Sequence, residues 1–468
     1  MHILHIPSEI LTEVFSYLDE RSRVSAALVC KLWKEIAYTK KLWKKTVAKV
    51  KLDSFSTYIK HTNINGFTAT SKKSKKRKVT YTSEEFVWPE SFFALLNERG
   101  ISKVVLSSAR NLFLEQDLKN LNSNIPDLKY LKLAFESHKI TSRTVSHCFE
   151  NIQFLQLKSL DLSFNKFINQ RVIRAIAVSM PNLESLNLQS CLSVTDDCLE
   201  QMTIMASLKH LNISNTEITD FGLAILSGMK MVNTGDIVKR IKCILLTNLR
   251  TLNIENCQDL TWVGLRYIGE GTLVSLETLV ISQILGCEGF GIECLSSLNS
   301  LKCLSAVAAG LPDNVFEILA DSGSNLENLS LSFHSSINDR SLEFLSRGFQ
   351  NLILMRLRST SITDIGVDLI CANLPQLLFL DISYNCYITD RALRVIGEKL
   401  SRLLVLNIEY CERVTSKGVS HFISTSSCVL IPSQASNILN MQFYQSDILR
   451  NGAIKKWMTA RKLRSLCC

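Results

Sequence analysis

No run of apolar residues in this 468-residue chain approaches the roughly 18 to 20 that a membrane-spanning helix requires. Signatures of nucleotide and hydrolytic chemistry are also missing. There is no G-x-x-x-x-G-K-[ST], no H-E-x-x-H and no G-x-S-x-G, and the 8 histidines show no ligand spacing. Catalysis by this chain, a metal site and a cofactor are therefore not expected. The opening stretch MHILHIPSEILTEVF lacks a basic start. Pro7, Glu9 and Glu13 stand where a secretory signal would be apolar, so no signal peptide is expected. A soluble chain working in the cytoplasm, the nucleus or both is the expectation.

What is present is the composition of a folded protein, 46% hydrophobic and 21% charged, so any disorder is local. The 15 cysteines are odd in number, spread along the chain and unaccompanied by signs of export, which predicts reduced thiols. Several recur at one repeated position, which points to packing. The net charge of +10 is concentrated: Lys72, Lys73, Lys75, Lys76, Arg77 and Lys78 form one cluster, and Lys455, Lys456, Arg461, Lys462 and Arg464 another. The remainder is close to neutral. A groove that tracks phosphates needs its basic residues spread along a folded surface, so nucleic acid is not an expected partner.

Self-similarity decides the architecture. LESLNLQSC begins at Leu183, LKHLNISNT at Leu208 and LRTLNIENC at Leu249, and the frame returns at Leu276, Leu301, Leu326, Leu352, Leu377 and Leu403. Extending backwards gives Leu157, Leu128 and, more weakly, Ile101, about twelve units in all, most of them about 25 to 27 residues apart. The step from Leu208 to Leu249 is too long, which places an inserted loop near 229–247. Within a unit, L-x-x-L-x-L alternates as a half-buried strand does. The ninth position is read as turning the chain inward. It holds Asn165, Cys191, Thr216, Cys257, Thr360, Asn385 and Cys411, small residues of which Asn and Thr can bond exposed backbone groups. ITDFGLAIL at Ile218, ITDIGVDLI at Ile362 and ITDRALRVI at Ile388 signal helix starts, with Thr and Asp supplying oxygens to the first-turn amides. Asp196, Asp220, Asp364 and Asp390 are thus helix-start residues rather than catalytic acids. The Leu276 and Leu301 units depart from the pattern, and local irregularity is expected there.

These features resemble the cysteine-containing class of leucine-rich repeats over about three quarters of the chain. The implied fold is α/β: a right-handed leucine-rich-repeat solenoid, a horseshoe of about 12 repeats with a parallel sheet on its concave face.

Residues 3–48 stand outside the repeat and read as short helices. Pro7 and Ser8 open the first; Ile10, Leu11, Val14, Phe15 and Leu18 form its apolar face; Ala27, Leu28, Val29, Trp33 and Ile36 form a second stretch. So few residues cannot bury so many large side chains among themselves, so part of this face should dock on a partner. The ordered set Pro7, Glu9, Ile10, Leu11, Phe15, Leu18, Leu28, Val29, Cys30, Trp33, Leu42 and Trp43 closely resembles the F-box, with Ile6 where that family has Leu. The resemblance implies a small all-α F-box domain before the solenoid. It also implies binding to the Skp-family adaptor of an SCF-type cullin-RING ubiquitin ligase, and a role as the receptor that holds a protein substrate. Pro7, Ile10, Leu11, Phe15, Leu28, Val29 and Trp33 would lie at or behind the adaptor surface.

On each repeat strand the third, fifth, seventh and eighth positions are expected to face the concave side: Ser185, Asn187, Gln189 and Ser190 in one unit, Thr251, Asn253, Glu255 and Asn256 in another. The eighth position also carries Phe135, Phe164, Phe333, Tyr384 and Tyr410, candidate anchors for a protein substrate. Arg356 and Arg358 point the same way from one strand and suit a carboxylate or phosphate. The plainer alternative is that Arg356 pairs with Asp381 on the next strand, as Lys132 would with Asp161.

Residues 49–100 are expected to be a linker containing the basic run 72–78, which reads equally as a nuclear-localisation signal or a solvated linker. The repeats span 101–428, and 429–468 form a cap and a basic tail. Cys467 and Cys468 raise lipidation, but there is no C-a-a-X box, and membrane association is not the expectation. A repeat scaffold or inhibitor that transfers no ubiquitin is the rival reading.

Overall fold

The computed structural model describes residues 8–43, 46–51, 90–108, 115–135, 141–233, 238–242, 246–284, 292–311, 315–321 and 325–431. Pro7, the run 72–78 and Cys467 and Cys468 lie outside them. The chain divides into two compact units, Met1–Cys191 and Leu192–Cys468. No described helix is long and apolar enough to cross a membrane.

The first unit opens with the helices Ser8–Ser16, Glu20–Ala26, Lys31–Ala37 and Lys40–Trp43. Arg23 ties them together: its guanidinium donates to the carbonyls of Phe15 at 3.0 Å and Ser16 at 3.3 Å, where the first helix ends, and to Leu42 O at 2.6 Å. A cation at a helix C-terminus satisfies carbonyls that the helix leaves unpaired. A parallel sheet follows, made of Ala48–Lys51, Lys103–Ser108, Tyr130–Phe135, Ser159–Asp161 and Ser185–Asn187.

Both ends of the expected linker are therefore structured. Ala48–Lys51 pairs with Lys103–Ser108, Ala48 opposite Val104 and Lys51 opposite Ser107, and Glu90–Glu98 is a helix. Just beyond that helix, the Arg99 guanidinium lies 4.3 Å from the Tyr38 ring centroid and 5.5 Å from that of Trp43. Gly100 adopts φ +68°, and a Cβ there would stand 3.0 Å from the Cβ of Lys40. The first helices and the first repeats thus pack directly on one another.

Among the described residues, the second unit carries nine parallel strands in its sheet: His210–Asn212, Thr251–Asn253, Thr278–Val280, Cys303–Ser305, Asn328–Ser330, Leu354–Arg356, Phe379–Asp381, Val405–Asn407 and Val429–Ile431. The last falls in the expected cap. Leucines align in register, Leu279 with Leu304 and Leu304 with Leu329, and are buried. The insertion after Leu226 is a ribbon, Met229–Asn233 antiparallel to Val238–Lys242. In the irregular Leu276 unit, the element after the strand is a 3-10 helix, Ile292–Ser297.

Backbone turning follows a rule that the alternating pattern did not reveal. Among the described residues, the ten non-glycine residues with positive φ, from Phe164 to Tyr410, all occupy the eighth position, with φ between 49° and 65°. Each turn therefore begins one residue before the expected place. The amide of the eighth residue still reaches the next strand, as Phe333 N does to Arg358 O at 2.7 Å, before the left-handed residue swings the ninth side chain inside. There Asn165 donates to Leu133 O and Leu162 O, while Cys191, Cys257 and Cys411 each send Sγ to a carbonyl of the preceding repeat at 3.1 to 3.2 Å. Burial pushes the Cys411 thiol up to about 11, a protonated packing group rather than a nucleophile.

His334 fills the same column in the Leu326 unit. It is buried, with Nε2 2.5 Å from Ala306 O, and burial holds its pKa below the ordinary value despite that bond. The unfolded chain takes up this proton near pH 6.5, the folded chain only at lower pH. This contribution to stability is therefore complete above about pH 6.5 and declines as pH falls. Wild type should lose urea resistance between about pH 7.5 and about pH 5 more steeply than His334→Asn, whose amide bonds the carbonyl without titrating. Parallel slopes for the two proteins would remove the histidine from the account.

Candidate functional site

Two surfaces concern function, one on the first helices and one on the sheet. The helix Ser8–Ser16 has two apolar stripes. Leu11 and Phe15 are each 2% exposed and face inward, with Phe15 edge-on to Trp33 at 5.2 Å between centroids. Ile10, Val14 and Tyr17 are 53%, 50% and 82% exposed, and Leu28 and Val29, after the second helix, 65% and 63%. Of the residues expected at or behind an adaptor surface, Ile10, Leu28 and Val29 are exposed. Leu11 and Phe15 are core, because the helix turns them toward Ile36, Ala37, Leu42 and Trp43, which are buried as well. Trp33 is half-buried behind them. Val14 and Tyr17 complete the exposed stripe. Helical spacing from Ile10 was the available signal, since i, i+4 and i+7 share a face.

On the sheet, much of the polarity expected to meet a partner serves the turns. The fifth-position side chains Asp161, Asn187, Asn212, Asn253, Asp381 and Asn407 each accept from the amide two residues on, at 3.0 or 3.1 Å in five cases and 2.9 Å at Asn253. Asn187 and Asn253 are thus turn residues, and serines at the seventh position, Ser163, Ser332 and Ser383 among them, are buried. Lys132 pairs with Asp161 at 2.9 Å. Burial alone would raise the Asp161 carboxyl, but Lys132 and the bonds from Ser163 outweigh it and hold it below the usual range.

The helix-start aspartates do not cap their own helices; each accepts from the next repeat. Asp196 bonds Thr219 N and Oγ1 at 2.8 and 2.7 Å, Asp339 bonds Thr363 at 2.8 and 2.6 Å, and Asp390 bonds Thr415 at 2.7 and 2.6 Å. Thr219 and Thr363 cap their own helices. These carboxylates are committed to structure. Among the described residues, no three His, Cys, Asp or Glu side chains gather to hold a metal ion.

The aromatic candidates remain. Phe135 packs edge-on against Phe167 at 5.3 Å, and Phe164 is 65% exposed. In the second unit, Phe333, Arg358, Tyr384 and Tyr410 come together. The Arg358 Cζ lies 4.1 Å from the Tyr384 centroid and 5.5 Å from that of Phe333, and Tyr384 packs against Tyr410 at 4.4 Å with the rings tilted by 34°. Arg356 lies over Phe379 at 5.2 Å and in register with Asp381.

Two family models match, an F-box-like model over residues 3–49 and a leucine-rich-repeat model over residues 205–226. The chain joins an F-box-like segment to leucine-rich repeats. Curated relatives include F-box/LRR-repeat protein 4 of Bos taurus, 24% identical over 203 residues that make up 41% of this chain and 29% of the relative. F-box/LRR-repeat protein 17 of Arabidopsis thaliana is 28% identical over 273 residues, 56% of this chain and 38% of the relative. The chain thus spans about a third of the length of these relatives. Similar solved structures include yeast Rad7 in complex with Elc1, with TM-score 0.44, 21% identity, and 68% and 84% of the two chains covered. An internalin of Listeria monocytogenes has TM-score 0.44, 19% identity, and 72% and 87% covered.

Proposed function

We propose that this F-box and leucine-rich-repeat chain is the non-catalytic substrate receptor of an SCF-type cullin-RING ubiquitin ligase, working in the cytoplasm or nucleus. The F-box-like helices dock a Skp-family adaptor, and the open face of the repeat sheet holds a protein substrate for ubiquitination. The observation that carries this reading is the set of exposed apolar side chains Ile10, Val14, Tyr17, Leu28 and Val29 on a segment whose own core is already filled by Leu11, Phe15, Ile36, Ala37, Leu42 and Trp43. Large apolar side chains left in water around a complete core mark a protein-binding surface.

The test is co-purification of the full-length chain with a Skp-family adaptor and a cullin-RING core. An Ile10→Asp, Leu28→Asp, Val29→Asp variant should lose at least about tenfold in adaptor affinity, with its circular dichroism unchanged, because none of the three is in the core. Leu11→Ala should also lose binding, but by unfolding the helices, at a cost of about 2 to 5 kcal/mol. A folded wild-type chain that ignores every adaptor, or a triple variant that binds as well as wild type, would overturn the reading.

A further inference from the structure

The second unit holds a guanidinium in place between aromatic rings. Arg358 projects from the repeat that begins at Leu352, and each neighbouring repeat contributes one ring beside it, Phe333 from one side and Tyr384 from the other. Its Nε is buried and has no hydrogen-bond partner. Among the described residues, no carboxylate pairs with it. By contrast, Lys132 on the first unit's sheet is neutralised by Asp161.

The two rings are held at a cost. Phe333 and Tyr384 have φ of 62° and 58°, a conformation that bulky residues rarely adopt. Asn215 and Asn256 fill the same position with the residue type that tolerates it best. Strained backbone that persists where a small polar residue would serve points to a use for the side chain. Here the rings fix the guanidinium plane and exclude water from one of its edges, which strengthens any ion pair made by the others.

We propose that Arg358, buttressed by Phe333 and Tyr384, is the specificity-determining anion-binding residue of the sheet's open face, and that it takes the carboxylate of an Asp or Glu in an extended acidic segment of a partner protein, with the adjacent apolar residue against the rings. This deepens the substrate-receptor reading and rests on it. The observations favour a carboxylate over a phosphorylated residue. One guanidinium matches one negative charge in a two-pronged pair. Asp381 ends the next strand and Glu409 follows the strand after it, and their charges disfavour a second negative charge on the ligand.

The experiment selects binders to the full-length chain from a library of random peptides and measures their affinities by fluorescence anisotropy. The expected result is enrichment of peptides with Asp or Glu beside an apolar residue. Arg358→Gln should weaken them at least about tenfold at an unchanged melting temperature. Arg358→Lys should restore only part of the loss, because an ammonium is a point charge and cannot form the fork. Peptides indifferent to Arg358→Gln, or no peptides at all, overturn the proposal. The first of these outcomes leaves the face a partner-binding surface, and adaptor capture is read separately. Replacing the peptide's Glu by phosphoserine should not tighten binding. A gain beyond about tenfold would make the ligand a phosphopeptide and overturn the carboxylate assignment.

Discussion

Replacing Asn385 by alanine is expected to destabilise the second unit by about 3 kcal/mol or more, among the largest effects of any single polar substitution in the repeats. The side chain is fully buried. Its Nδ2 donates to Leu357 O and Ile382 O, both at 2.8 Å, and its Oδ1 accepts from the Thr360 amide at 2.9 Å. Alanine leaves the Thr360 amide without this acceptor and takes one of two donors from each carbonyl, since Leu357 O keeps Thr360 Oγ1 and Ile382 O keeps the Cys411 thiol; three lost bonds at about 1 kcal/mol each set the expected cost. Asn385→Cys should cost less, because a thiol reaches one carbonyl, as Cys411 reaches Ile382 O at 3.2 Å. Urea unfolding followed by circular dichroism measures both. A cost below about 1 kcal/mol for the alanine variant would falsify the bonding role.

The second large effect concerns a glycine. A Cβ on Gly366 would stand 2.4 Å from Asp339 Oδ1, the atom that accepts from the Thr363 amide at 2.8 Å and from the Gly366 amide at 3.0 Å. Gly366→Ala must therefore push the carboxylate away and break the tie between consecutive helices, at about 2 to 3 kcal/mol. Gly397, also within a helix, has its nearest neighbour to such a Cβ at 3.4 Å, on the Phe422 ring. The same substitution there should be neutral or should stabilise by up to about 1 kcal/mol, since alanine favours a helix over glycine. Combined with Asp339→Ala, the Gly366→Ala penalty should shrink, because the atom it displaces is gone. Equal costs at the two glycines would refute the close-approach explanation.

These residues show where sequence reading succeeded and where it stopped. The frame from Leu128 to Leu403 could be read because burial repeats with the strand's alternation, and Asp196 and Asp390 were rightly assigned to helix starts. Their partner could not be read, because it lies in the next repeat, and the glycine two residues after Asp220 or Asp364 has no meaning until helices are packed. Ala48–Lys51 and Val429–Ile431 lack the leucine spacing; pairing with a neighbour makes them strands. On the first helix, hydrophobicity marked Ile10, Leu11, Val14 and Phe15 alike, and only the packing of Ile36 and Trp43 separates the inner pair from the outer. Arg356 and Arg358 looked equivalent as alternate residues of one strand. What distinguishes Arg358 is a ring from each adjoining repeat and a buried Nε without a hydrogen-bond partner.

The pairing of Ala48–Lys51 with Lys103–Ser108, together with Gly100 against Lys40, fixes the first helices to the first repeats within the first unit. The strand that follows the first helices and the residues just past Glu90–Glu98 both belong to that body, so the first helices are seated by contact and carry their exposed apolar stripe at a place set by the first repeats.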